Sequence, residues 1–188
     1  QHLQFKRIRL SLGDGLKSIH AGKPLKVALN SGKTVDTDLV ILSVGVRPET
    51  TLAKDAGLEL GGRGAIRVNR HLQTSDPDIY AAGDAVEVAD YTAGFKTLIP
   101  LAGPANRQGR IAADHIMGIK HPYKNTQGTG ICKVFDLTVG MTGLSEKALK
   151  RLDRNYEKIY LHSASHASYY PGASPIALKL LFDPADKK

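Results

Sequence analysis

The carboxylate of Asp84 is the side chain whose position in the sequence most clearly indicates chemistry. Turn residues occupy 75–78, and the short apolar run 79–82 predicts a buried strand. Gly83 follows that strand and lets the backbone approach a ligand closely. Because ligands of open α/β sheets bind beyond the carboxyl ends of the strands, Asp84 is predicted to bind a ligand hydroxyl. A carboxylate that only caps the next turn would explain Asp84, but not the whole segment.

Residues 74–84 resemble the second flavin-binding motif of the FAD-dependent pyridine nucleotide-disulfide oxidoreductases. The resemblance lies in the pattern Thr-x-x-x-x-Ile-Tyr-Ala-x-Gly-Asp. In that family the Asp accepts a hydrogen bond from a ribityl hydroxyl of FAD. The resemblance implies that FAD contacts Thr74, Ser75, Asp76, Pro77, Asp78, Ile79, Tyr80, Ala81, Ala82, Gly83 and Asp84.

A helix is predicted after Leu98-Ile99-Pro100, with Pro104 in its first turn and Gly118 and Pro122 at its end. Its amino end would present free N–H groups and the positive end of a dipole, which favour negative charge. The pattern Pro-Leu-Ala-x-x-Ala-x-x-Gln-Gly-Arg is similar to a family helix whose backbone contacts the flavin ring. The resemblance implies flavin contacts at Leu101 and Ala102. Ile111 and Ile116 are expected to pack in the core.

The apolar run 38–45 predicts a buried parallel strand that ends at Gly45. Gly45 and the following Val46-Arg47-Pro48 resemble the segment that closes the family's NAD(P)-binding domain. The resemblance implies that the backbone of Gly45 lies near the nicotinamide nucleotide. A plain turn at the end of the strand is the alternative.

Two further sites resemble the CoA-disulfide reductase branch of the family, including its rhodanese-fused form. In the stretch 166–173, Tyr169 or Tyr170 matches a tyrosine that reaches the partner subunit's active site, near the reacting sulfur. A phenol there can donate a hydrogen bond to a departing thiolate. Packing of both rings in a dimer interface is the alternative. Asn106 matches a position that touches CoA, and its alternative is a hydrogen bond at the helix terminus.

The predicted fold class is α/β, becoming α+β towards the carboxyl end. It comprises parts of two doubly wound nucleotide-binding domains and part of an interface domain. Residues 1–46 are assigned to the NAD(P)-binding domain, 47–122 to the FAD-binding domain and 123–188 to the interface domain. The other predicted elements are strands at 6–12, 65–68, 131–135, 137–141, 157–162 and 176–182, a hairpin at 24–36, a helix at 51–57 ended by Gly57, and a helix capped by Ser145.

Composition narrows the possible partners. The 188 residues carry a formal net charge of +8, with 41% hydrophobic and 23% charged residues, as is typical of a globular protein. The basic residues are scattered, so we predict no nucleic-acid partner; no apolar run is long enough for a membrane span and no signal peptide is recognised. The single cysteine, Cys132, favours a reducing cytoplasm and is expected to be packed and inert. The seven dispersed histidines predict no metal site.

The family's two glycine-rich pyrophosphate motifs and its nucleophilic cysteine have no match in this sequence. The chain is therefore interpreted as a fragment of a longer, homodimeric enzyme, and by itself is expected to be inactive and to bind little FAD. The resemblance implies that the enzyme uses NAD(P)H and FAD to reduce CoA disulfide, or CoA persulfide or polysulfide, through a cysteine outside this chain. The alternatives are an NADH oxidase or peroxidase of the same family and a non-catalytic assembly fragment. The sequence does not distinguish NADH from NADPH.

Overall fold

The computed structural model describes residues 2–185, and the chain divides into two compact units, Gln1–Val46 and Arg47–Lys188. Across residues 2–185, no helix combines the length and apolar character that a bilayer crossing requires.

The first unit contains a short helix and a three-stranded antiparallel sheet. Helix α1 spans His2–Phe5, and the strands are β1 (Leu16–His20), β2 (Leu25–Leu29) and β3 (Thr34–Thr37). The central strand β2 pairs with both neighbours. The predicted hairpin at 24–36 is therefore confirmed as β2 and β3.

Two predicted strands of the first unit are absent. Residues 6–12 begin with a turn after α1, where the amide of Ile8 donates to the carbonyl of Leu3, and then continue without regular structure. Residues 38–45 form no strand, and Ile41 is 80% exposed. The apolar run is typical of a strand buried between neighbours, but no described strand of the unit pairs with it. Without those hydrogen-bonding neighbours the sequence pattern alone does not form a strand.

The second unit begins with helix α2, Thr51–Asp55, whose end the sequence predicts correctly. Gly57 has a φ of 71° and donates to the carbonyl of Lys54, while the amide of Leu58 donates to Ala53. This pair of hydrogen bonds is the Schellman motif, which needs a residue in the left-handed region. A 3-10 turn, Gly62–Gly64, follows.

Short bridges rather than long strands connect the middle of the second unit. Ile66 pairs with Leu60 and with Val86, so the predicted strand at 65–68 is reduced to isolated bridges. Ala65, Leu72 and Val86 are fully buried and form a small apolar core. A two-stranded ribbon, β4 (Val88–Ala89) and β5 (Lys96–Thr97), follows, and then helix α3, Ala102–Ile116.

The remaining elements are two hairpins separated by a helix: β6 (Gly130–Val134), β7 (Leu137–Met141), α4 (Glu146–Arg151), β8 (Glu157–Ala164) and β9 (Pro175–Phe182). The four predicted strands are confirmed, and so is the cap, because Ser145 Oγ accepts from the amide of Ala148 at 3.2 Å. The expected burial of Cys132 is wrong, since its side chain is exposed. Among the described residues, β6 pairs only with β7. The alternating sequence pattern of this strand therefore did not show that another layer covers one face of the hairpin.

Glu146, the first residue of α4, connects this helix to the long hairpin. Its carboxylate accepts from the hydroxyl of Tyr156 at 2.7 Å and from the ammonium groups of Lys158 and Lys179. These hydrogen bonds, that of Lys179 foremost, hold the pKa of Glu146 well below its usual 4.5 and raise the pKa values of Lys179 and Tyr156. The base of the β8–β9 hairpin is thereby fastened to α4.

Candidate functional site

Residues 72–81 form a closed loop that shapes the candidate segment. The amide of Thr74 donates to the carbonyl of Ile79, and the amide of Ala81 donates to that of Leu72, both at 2.9 Å. Gln73 and Tyr80 pair across the loop as an antiparallel bridge. The side chain of Leu72 is fully buried and anchors the loop to the core.

The polar side chains at the loop's tip bind backbone groups of the protein. Thr74 Oγ1 donates to the carbonyl of Asp76 at 3.0 Å and accepts from its amide, while Asp76 Oδ1 accepts from the amide of Asp78 at 2.9 Å. Ser75 Oγ accepts from the amide of Glu59 at 2.9 Å. These side chains therefore hold the turn, as their types predict.

The strand predicted at 79–82 is not formed. Tyr80 makes one bridge, and the side chains of Ile79 and Ala82 are exposed. As at 38–45, the described chain supplies no neighbouring strand to bury this run. Instead, the hydroxyl of Tyr80 lies 2.7 Å from Nδ1 of His115, which places the segment against α3.

The Gly83-Asp84 turn is bound to α3 through a side chain. The amide of Gly83 donates to Oε1 of Gln108 at 2.7 Å, and Gly83 has a φ of 92°. The side chain of Asp84 is exposed, and within residues 2–185 its carboxylate has no hydrogen bond or ion pair. This carboxylate is therefore available to a ligand that offers a hydroxyl group.

The amino end of α3 is also available to a ligand. The helix begins at Ala102 with Leu101 as its N-cap, so Pro104 lies in its first turn as expected. In the described part of the chain no side chain caps this end. Because Leu101 has no side-chain acceptor, the first amide groups keep their capacity to donate. The side chain of Ile116, expected in the core, is 62% exposed in the last turn, so that expectation is wrong.

The remaining candidates lie on other parts of the chain, apart from Asn106, which belongs to α3. Asn106 lies on α3 with an exposed side chain, while Gly45 is exposed in the other unit with a φ of 90°. Tyr169 and Tyr170 lie in the loop at the tip of the β8–β9 hairpin, with ring centroids 5.0 Å apart, and Tyr169 is 83% exposed. Across residues 2–185, no hydrogen bond or ring contact joins either tyrosine to 74–84 or to α3.

Comparison with known proteins identifies the family. The family model described as pyridine nucleotide-disulphide oxidoreductase matches residues 1–109. The chain belongs to this family. Over 97% of its length it is 37% identical to an NADH oxidase of Methanocaldococcus jannaschii, and over 87% it is 34% identical to a coenzyme A disulfide reductase of Staphylococcus epidermidis. It spans about 40% of the length of these curated relatives, 41% and 37% respectively.

Comparison with a solved structure supports the same family through the fold. The reduced Bacillus anthracis CoADR-RHD is 51% identical to this chain and superposes with a TM-score of 0.91, over 97% of this chain and 33% of the other. The mixed helix and strand architecture predicted for this chain is thus confirmed. The functional roles assigned to individual residues of this chain stay predictions.

Two polar residues, Gln108 and Tyr123, were not identified from the sequence as part of the site. Gln108 lies on the same helical stripe as Pro104 and Ala112, which are also buried. The spacing of four residues was a usable signal, because a glutamine in a buried stripe needs specific hydrogen-bond partners. An open depression of about 460 Å³ on the second unit is lined by Thr74 and Ser75 of the candidate segment, together with Arg67 and others, but by neither Asp84 nor α3.

Proposed function

We propose that this chain is part of a flavoprotein that uses NAD(P)H and FAD to reduce coenzyme A disulfide, or a CoA persulfide or polysulfide. The similarity to the staphylococcal coenzyme A disulfide reductase carries the proposal. The loop with Tyr169 and Tyr170, which resembles that branch of the family, also supports it. In this proposal the enzyme is a cytoplasmic homodimer without nucleic-acid or membrane partners, and its reactive cysteine lies outside the chain.

The residues present fit FAD. Asp84 offers a carboxylate without a protein partner among the described residues, Gly83 adds no side chain beside it, and the amino end of α3 is uncapped. These three features suit a ligand with both a hydroxyl chain and an electron-rich ring edge. FAD bound there would supply hydride acceptance from NAD(P)H and electron transfer to a disulfide.

The roles we assign to this chain concern binding and charge. Asp84 accepts a hydrogen bond from the ribityl chain, while Thr74 and Asp76 keep the preceding turn in place. The first amides of α3, after Leu101, stabilise negative charge on the ring. Tyr169 or Tyr170 donates a hydrogen bond to the departing CoA thiolate in the partner subunit, Asn106 contacts CoA, and Gly45 lies beside the nicotinamide nucleotide.

The decisive experiment measures NAD(P)H consumption by the whole protein. We expect consumption that depends on added CoA disulfide under anaerobic conditions, and free CoA thiol as the product. Asp84→Ala should lower FAD occupancy in the purified protein, whereas Asp55→Ala, which removes an exposed carboxylate outside the segment 74–84, should retain FAD. Consumption that requires oxygen or peroxide and ignores CoA disulfide would refute the proposed substrate.

A second candidate is an NADH oxidase of the same family, and the relative from Methanocaldococcus jannaschii favours it. Oxygen uptake coupled to NADH, without any effect of Tyr169→Phe or Tyr170→Phe, would support this activity. A non-catalytic assembly fragment is the third candidate. The visible absorbance of the purified 188-residue chain tests it, since a stoichiometric flavin would contradict our expectation of little bound FAD.

A further inference from the structure

We propose that Gln108 is a positioning residue that fixes the Gly83-Asp84 turn and couples it to Tyr123 and Thr126. The inference rests on the proposed function, because it assumes that Asp84 binds a hydroxyl of FAD. It goes beyond that function by assigning a role to a buried side chain that need not touch the cofactor.

The contacts of Gln108 are few and directional. Its side chain is 1% exposed, and its Oε1 accepts from the amide of Gly83 at 2.7 Å. Its Nε2 donates to the hydroxyl of Tyr123 at 3.3 Å, and that hydroxyl lies 2.7 Å from Oγ1 of Thr126. The amide group therefore has one partner on each side, which fixes its orientation in the protein interior.

The far end of this network is itself held in place. Thr126 is buried, and its amide donates to the carbonyl of Ala89 at 2.9 Å. Its carbonyl accepts from the amide of Tyr91 at 2.8 Å. The segment 83–91 is thus restrained at both ends: α3 binds its first residue through Gln108, and Thr126 binds its last residues.

The position of Asp84 depends on this restraint. Gly83 directly precedes it and has a left-handed φ of 92°, which a flexible chain samples together with other conformations. The hydrogen bond from the amide of Gly83 to Gln108 favours this one conformation. A hydrocarbon side chain at 108 would remove the acceptor and leave the hydroxyl of Tyr123 without its donor, while preserving most of the buried volume. The turn, and with it the carboxylate, would then lose its fixed direction.

The experiment compares FAD dissociation constants of the whole protein, measured by visible absorbance on adding FAD to apoprotein. Gln108→Leu should weaken FAD binding about tenfold, the effect of one lost hydrogen bond. Gln108→Glu keeps an acceptor for Gly83 and should recover binding to within roughly threefold of the wild type. The control is Gln127→Leu, the same substitution at an exposed residue one position after Thr126, and it should leave binding unchanged.

Tyr123→Phe removes a single oxygen and keeps the inference testable if Gln108→Leu does not fold. It should weaken FAD binding roughly threefold, and the double variant should bind FAD no more weakly than Gln108→Leu alone, because both changes break one network. Wild-type affinity in folded Gln108→Leu, or additive effects in the double variant, would overturn the inference. Failure of the proposed function is distinguishable, since wild-type protein would then bind no FAD or would ignore CoA disulfide.

Discussion

Gly61 lies where a methyl group would strike a buried carboxylate. A Cβ on Gly61 would come within 2.5 Å of Oε1 of Glu87, whereas a Cβ on Gly62 would meet the same oxygen at 3.6 Å, an ordinary contact. Glu87 is 8% exposed and accepts from the amide of Gly62 at 3.0 Å. Because Gly61 has a φ of −96°, its backbone suits alanine, and only space opposes the substitution.

The cost of Gly61→Ala follows from these contacts. Glu87 must turn away and lose its charge-assisted hydrogen bond, which costs about 2 kcal/mol. Replacing glycine with alanine also lowers the conformational entropy of the unfolded chain, which stabilises the fold by about 0.5 kcal/mol. The net loss of unfolding free energy is about 1.5 kcal/mol, while Gly62→Ala should gain about 0.5 kcal/mol.

Urea denaturation measures this difference. With a slope of roughly 2 kcal/mol per molar urea, Gly61→Ala should lower the midpoint by about 0.7 M, and Gly62→Ala should raise it slightly. In a Glu87→Ala background, Gly61→Ala should no longer destabilise, because nothing remains for the methyl group to displace. Equal midpoints for the two alanine variants, or a cost that persists without Glu87, would refute the reasoning.

Three further predictions concern the carboxyl-terminal elements. Glu146→Gln should remove a contribution to stability that depends on pH. Because the folded protein lowers the pKa of Glu146, its carboxylate stabilises the fold fully above pH 4.5 and progressively less below it. The urea midpoint of the variant should therefore change less between pH 5 and pH 3 than that of the wild type. Ser145→Ala should cost about 1 kcal/mol in urea denaturation, and Ser145→Thr much less, because threonine also caps a helix. In the 188-residue chain, Cys132 should react with a thiol reagent without denaturant; slow reaction would show that something covers β6.

Local signals in the sequence predicted the elements whose causes are local. Gly57 ends α2 through its own left-handed φ, and Ser145 caps α4 through its own hydroxyl. The two-stranded hairpins were predictable as well, since each strand's partner is its neighbour in sequence. In these cases the residues that determine the structure lie within a short distance along the chain.

The failures share the opposite cause. The strands expected at 38–45 and 79–82 depend on partners distant in sequence, which a local apolar run does not reveal. The burial of Cys132 likewise depends on a covering layer, and alternation does not report whether one exists. In the candidate site, the polar turn and Asp84 were identified from their motif, but Gln108 was missed because its partners, Gly83 and Tyr123, lie far from it in the sequence.

The hairpin of β8 and β9 carries Tyr169 and Tyr170 in the loop at its tip. Eight residues of strand extend for about 26 Å, so a tilt of about 5° at the base would move the tip by about 2 Å. Lys158 and Lys179, whose ammonium groups bind Glu146, lie in the half of the hairpin nearest its base, where these contacts oppose such a tilt. The placement of the two phenol rings therefore depends on the contacts that Glu146 of α4 makes at the other end of the hairpin.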